Sequence, residues 1–185
     1  GARALATVIL LHGSEGGTPE AARELATRYA GKGFAALAVN YFAWDMAGIE
    51  GIANVHVNVP IELLDDARLW LSERPEADVG RIGVYGHSKG AEFAAVAAVR
   101  YPWIKAVAAC VPSDVVWEGY GIGDPRAQRA RPKADPVPAE RSSWSWAGKP
   151  LPFVRLRPYV DNDTVHFNNT ERYERSREDN PEAAR

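Results

Sequence analysis

The sequence predicts an α/β fold: a parallel sheet with helices on both faces, built as one domain over the whole chain. Two observations carry that expectation. Short apolar runs rich in β-branched residues alternate with segments of helical periodicity. The connections between them are short, so neighbouring strands must be joined by right-handed crossovers. A length of 185 residues suits one domain with a single core, and 46% apolar with 25% charged residues is an ordinary globular balance.

The elements follow in order. Ala6 to Leu11 is a continuous apolar run, the pattern of a strand buried on both faces. A glycine-rich turn, Gly13-Ser14-Glu15-Gly16-Gly17, comes next. Thr18 then caps a helix whose first position is Pro19, whose apolar stripe is Ala22, Leu25, Ala26 and Tyr29, and which Gly31 and Gly33 stop. Phe34 to Val39 is the second strand. After a loop holding Trp44 and Gly48, Pro60 is expected to open a second helix with Ile61, Leu64, Ala67 and Leu71 on one face. Arg81 to Tyr85 is the third strand and runs straight into Gly86-His87-Ser88-Lys89-Gly90. A helix of small residues, Ala91 to Val99, and a fourth strand, Ile104 to Val111, complete this part.

From Pro112 onward the composition changes to Pro, Arg and Trp without a clear period, and residues 112–170 read as a cap or loop insertion within the domain. Arg126, Arg129, Arg131 and Lys133 lie among prolines in an exposed loop, whose basic residues would otherwise meet an anionic substrate. Trp117, Trp144, Trp146 and Phe153 indicate that part of the region packs down.

Composition excludes several classes. A formal net charge of −2 offers no broad basic surface, so neither nucleic acid nor an anionic membrane is an expected partner. No apolar run approaches the roughly 18 residues of a membrane span. One cysteine, Cys110, cannot form an internal disulfide and points to a reducing compartment, the cytoplasm. No spacing of His, Cys and Asp resembles a zinc site, and no cofactor is implied.

The chemistry centres on Ser88. In Gly-x-Ser-x-Gly, a serine on a sharp strand-to-helix turn projects its hydroxyl beyond the sheet, while the glycines let strand and helix pass closely. Here the pentapeptide joins a strand-like to a helix-like segment, which is the context an α/β-hydrolase nucleophile requires. The turn after the first strand can aim a backbone N–H at a developing oxyanion, with Ser14 favoured over Glu15 as the donor. The second donor is the N–H of Lys89, the residue after the nucleophile. A phosphate-binding loop is the weaker alternative, because G-x-G-x-x-G and Gly-Lys-Ser/Thr are both absent. In this fold acid and base follow the nucleophile, and His166 is the one histidine that does. It lies in a polar segment with Asp161 and Asp163, so a surface role competes with that of base. His87 is expected to turn into the sheet, and His12 to shape the oxyanion turn.

The segment Gly83-Val84-Tyr85-Gly86-His87-Ser88-Lys89-Gly90-Ala91-Glu92 resembles the nucleophile region of the acyl-CoA thioesterase / bile acid-CoA:amino acid N-acyltransferase family. Tyr101-Pro102-Trp103-Ile104-Lys105-Ala106-Val107, Val111-Pro112-Ser113-Asp114-Val115-Val116-Trp117, Arg141-Ser142-Ser143-Trp144 and Asn58-Val59-Pro60-Ile61-Glu62 are similar to segments of the same family. The resemblance implies an α/β-hydrolase catalytic domain, a small-molecule acyl thioester such as an acyl-CoA as substrate, and a covalent acyl-enzyme. A serine rather than a cysteine nucleophile implies hydrolysis over transfer to an amine. The segments that carry acid and base in the family are not recognised here. The sequence therefore reads as a catalytic domain incomplete at its C-terminal end, with the remaining residues expected beyond Arg185 or on a second polypeptide. A hydrolase-fold module that only binds partners is the reading from another class.

Overall fold

The computed structural model describes residues 3–43, 49–53, 55–119, 141–155, 159–161, 164–166 and 178. In chain order its elements begin with β1 (Leu5–Leu11), α1 (Pro19–Ala30), β2 (Ala35–Val39), β3 (Val59–Pro60), α2 (Leu63–Ser72) and β4 (Ala77–His87). They continue with α3 (Lys89–Arg100), β5 (Ile104–Cys110), β6 (Trp144–Trp146), β7 (Lys149–Pro150), β8 (Tyr159–Asp161) and β9 (Thr164–His166). The chain divides into two compact units, Gly1–Ala53 with Ile61–Ser113, and Asn54–Pro60 with Asp114–Arg185.

The first unit is a four-stranded sheet in the order β2-β1-β4-β5, every pair parallel. This is the architecture expected from the alternation of strands and helices. β1 lies inside the sheet and is buried on both faces, with Ile9 and Leu11 at 0% exposure and Leu10 at 1%. Each such side chain stabilises the fold by about 1.5–3 kcal/mol relative to exposure. The two edge strands are more open: β2 is mostly half-buried, and β5 is exposed along nearly all its length.

The helices obey their sequence signals. Thr18 Oγ1 accepts from the Ala21 N–H at 3.1 Å and Pro19 stands at the first helical position. The predicted stripe of Ala22, Leu25, Ala26 and Tyr29 is the half-buried side of α1, although none of its residues is fully covered. On α2 the stripe is deep in the core, with Leu64 at 0% and Leu71 at 3% exposure, and Ile61 in the turn before it is also at 0%. The Tyr101 hydroxyl donates to Asp65 at 2.6 Å and ties the end of α3 to α2.

One boundary departs from the sequence reading. Pro60 does not open α2; Val59 and Pro60 form the short strand β3, and the helix starts at Leu63 after a turn. Proline suits a first helical position, but here a non-local partner wins, because Val59 and Pro60 pair in parallel with Trp144 and Ser145. Smaller differences lie at the other ends: β4 begins at Ala77 rather than Arg81, α3 at Lys89 rather than Ala91, and Val111 lies outside β5.

The second unit contains the sheet β3-β6-β7 and the antiparallel pair β8-β9. Ala147 and Gly148, at φ 50° and 71°, make the two-residue turn between β6 and β7, a left-handed conformation that suits tight hairpins. Trp144 is wholly buried, its ring edge-on to His56 at 4.7 Å, whereas Trp117, Trp146 and Phe153 are half-buried. The basic loop with Arg126, Arg129, Arg131 and Lys133 falls outside the described residues. Among the described residues no helix is long and apolar enough to cross a membrane, and no group of His, Cys, Asp and Glu could hold a metal ion.

Candidate active site

The strand order places the site. From β1 the chain turns outward to β2, and from β4 it turns the opposite way to β5, so the order reverses between two neighbouring strands. Crevices at the carboxyl ends of such strands are where open α/β sheets bind ligands. Both sequence-selected turns arise there, because Leu11 at the end of β1 lies in register with Gly86 near the end of β4.

Ser88 sits on the turn between β4 and α3 with φ 52° and ψ −115°. A serine seldom adopts positive φ, and holding it there costs of order 1–3 kcal/mol. The surroundings fix it: its N–H donates to the Cys110 carbonyl at 2.9 Å, and its own carbonyl accepts from Ala91 at 2.9 Å and Glu92 at 3.1 Å. Its side chain makes no capping bond to the helix, and the residue is half-buried. The flanking glycines are required by space. A Cβ on Gly86 would run into the Gly90 carbonyl, and a Cβ on Gly90 would run into the carbonyls of Leu11 and His12.

That second contact joins the Ser88 turn, the elbow between β4 and α3, to the turn after β1. The same His12 carbonyl accepts from the Tyr41 hydroxyl at 2.5 Å, and the His12 ring stacks on Tyr41 with centroids 4.1 Å apart. His12 Nδ1 lies 2.8 Å from the Gly13 carbonyl, which assigns its hydrogen to that nitrogen. Burial lowers the His12 pKa below its ordinary value, against the opposing influence of the Gly13 carbonyl and Glu15. Burial likewise raises Tyr41 well above the usual phenol value, helped by the carboxylates of Glu15 and Glu92. Neutral His12 and neutral Tyr41 therefore form an uncharged floor for the turn at pH 7.

Within the turn several N–H groups are committed. Gly13 donates to Glu15 Oε1 at 2.8 Å, Gly16 to the Gly13 carbonyl at 3.3 Å and Gly17 to the Phe42 carbonyl at 2.9 Å. A cavity of about 280 Å³ opens beside it between α1 and the sheet, with His12, Glu15, Asn40, Tyr85 and His87 among its lining residues. His87 is exposed rather than packed into the sheet as its sequence position suggested. A Cβ on Gly13 would lie 3.2 Å from both the His87 ring and its carbonyl, so His87 closes against the turn instead.

The structure thus brings the turns of Ser14 and of Ser88-Lys89 to adjacent strand ends. His166 belongs to the second unit, where its backbone pairs with Tyr159; its side chain is outside the described residues, as is Asp163. Three features escaped the sequence reading: the Tyr41 hydroxyl, the Glu15 carboxylate on the turn, and a buried ion pair between Lys89 and Glu92. Only the last had a local signal, opposite charges three residues apart on one helix.

The model of the dienelactone hydrolase family matches residues 2–126. The chain belongs to the dienelactone hydrolase family. The matched span runs from β1 past β5 and includes both turns of the site. Among solved structures, a candidate dienelactone hydrolase from Klebsiella pneumoniae subsp. pneumoniae MGH 78578 is 22% identical with a TM-score of 0.50, over 61% of this chain and 50% of its own. The α/β hydrolase GrgF from Penicillium sp. sh18 is 16% identical with a TM-score of 0.51, over 96% of this chain and 59% of its own. These likenesses show the α/β-hydrolase fold, and this chain spans 50% and 59% of the two chains it resembles. No curated protein matches the chain.

Proposed function

We propose that this member of the dienelactone hydrolase family is a serine acyl hydrolase that cleaves a thioester such as an acyl-CoA. Ser88 is the nucleophile, and the backbone N–H groups of Lys89 and Ser14 receive the oxyanion. The observation that carries the reading is the backbone of Ser88 itself. A φ of 52° is retained at the carboxyl end of β4, between two glycines that cannot bear a Cβ. Strain of that kind clusters at active sites, and here it coincides with a strand-to-helix turn whose flanking glycines leave no room for a Cβ. The resemblance to acyl-CoA thioesterases around Gly83–Glu92 supports the thioester.

In this reading the Ser88 hydroxyl loses its proton to a base as Oγ attacks the carbonyl carbon. The tetrahedral oxyanion collapses, the carbon–sulfur bond breaks, and the thiol leaves with the proton from the base. Water then hydrolyses the acyl-enzyme by the reverse order of proton transfers. Each oxyanion N–H contributes about 3 kcal/mol in the transition state. The base and its acid are proposed to lie outside residues 1–185, on further chain or a second polypeptide, with His166 the in-chain rival.

The experiment is a thiol-release assay with an acyl-CoA series on the natural protein, together with any chain that copurifies. Release that disappears in Ser88→Ala supports the reading; equal release by Ser88→Ala overturns it. Adding glycine or taurine separates hydrolysis from transfer, since a transferase yields the amide in place of the free acid. His166→Ala loses activity only if the rival base is correct.

A further inference from the structure

Lys89 and Glu92 form an ion pair inside the first turn of α3. Lys89 Nζ lies 2.9 Å from both Glu92 carboxylate oxygens, and the two side chains are 5% and 2% exposed. Burying such a pair brings little stability, because the loss of hydration offsets most of the attraction. Its position is more informative than its strength. Lys89 directly follows Ser88, and the Glu92 N–H donates to the Ser88 carbonyl. The carboxylate of Glu92 is close enough to Tyr41 to raise its pKa, and the Tyr41 ring packs edge-on against Phe93 at 5.2 Å. Tyr41 in turn holds the carbonyl of His12, against which Gly90 is packed.

The geometry points to Glu92 as a positioning residue that acts through Lys89, fixing the first turn of α3 so that the Lys89 N–H faces the oxyanion site. The inference rests on the serine hydrolase reading and adds to it a device for orienting one donor. The buried Lys89 side chain is held by Glu92, and both ends of that tether belong to the first turn of α3, which follows Ser88 directly. Hydrogen bonds to an oxyanion act only in the transition state, so a misaligned N–H affects turnover rather than substrate affinity.

The test is hydrolysis of p-nitrophenyl acetate by the natural protein with its copurifying chains, with kcat expressed per Ser88 titrated by a fluorophosphonate. Glu92→Gln is expected to lower kcat about tenfold and leave KM within about twofold, a fraction of the 100- to 1,000-fold effect of deleting a whole donor. The charge-exchanged variant Lys89→Glu with Glu92→Lys is expected to recover kcat to within about threefold of the parent. If Glu92→Gln does not fold, Lys89→Met with Glu92→Met removes both charges at similar volume and is expected to be stable yet slow. A kcat equal to the parent in Glu92→Gln or in the double Met variant overturns the inference while leaving the serine reading intact. A parent protein whose Ser88 is not titrated at all overturns both.

Discussion

Gly90→Ala tests whether the elbow and the turn after β1 are packed as one piece. The added Cβ would meet the carbonyls of Leu11 and His12, which belong to the backbone around the end of a buried strand. Neither can swing aside as a side chain would, so overpacking is expected near the upper end of its usual range, about 3 kcal/mol. Alanine returns about 1 kcal/mol of helix propensity at this position in α3. The net loss is therefore about 2 kcal/mol, or about 4–8 °C in melting temperature for a chain of this size. Gly31→Ala is the control. Its Cβ would find only the Thr27 and Arg28 carbonyls at 3.5 and 3.6 Å, and its φ of −62° suits alanine, so it is expected to stabilise by about 0.5 kcal/mol. Urea titration and thermal melting of the two variants measure the difference. A Gly90→Ala protein as stable as the parent refutes the close packing on which the proposed oxyanion site depends.

Other outcomes follow from the same geometry. Ser88→Gly is expected to stabilise the fold by about 1 kcal/mol by relieving positive φ, while abolishing acyl transfer; an unchanged urea midpoint contradicts the strain. Tyr41→Phe leaves the His12 carbonyl without its hydroxyl partner and is expected to destabilise by about 1–2 kcal/mol in the same titration. Because the fold raises the Tyr41 pKa above 10.0, the parent keeps this contribution below pH 10 and loses it as the pH rises further. The alkaline decline should accordingly be shallower in Tyr41→Phe. His12 shifts the other way: its pKa is lowered from 6.5, so its contribution is present above pH 6.5 and is lost as pH falls through the folded value. An NMR titration should place the His12 midpoint below that of the unfolded chain, and a midpoint above it is the contrary result.

How much of this was readable in advance depends on how local each cause is. The Thr18-Pro19 helix start, the Leu64-Ala67-Leu71 part of the second stripe and the strand–turn–helix around Ser88 depend on neighbouring residues, and each appears where its pattern put it. Pro60 misled because its role is set by Trp144 and Ser145, more than eighty residues away in sequence. Strands of two or three residues such as β3, β6 and β7 are too short for a period to show. The inward-turned Lys89 and Glu92 run against the general exposure of charged side chains. Tyr41 gave no sign, since a tyrosine after a strand is unremarkable until the carbonyl it holds is known.

Ser88 is proposed to be a held and usable nucleophile. The most direct measurement is fluorophosphonate labelling of the natural protein and its copurifying chains, followed by peptide mass spectrometry. A single adduct is expected on the peptide containing Gly86–Gly90, lost in Ser88→Ala and lost on unfolding in urea. An unmodified Ser88 in the folded protein, or an adduct on another residue that survives Ser88→Ala, contradicts it.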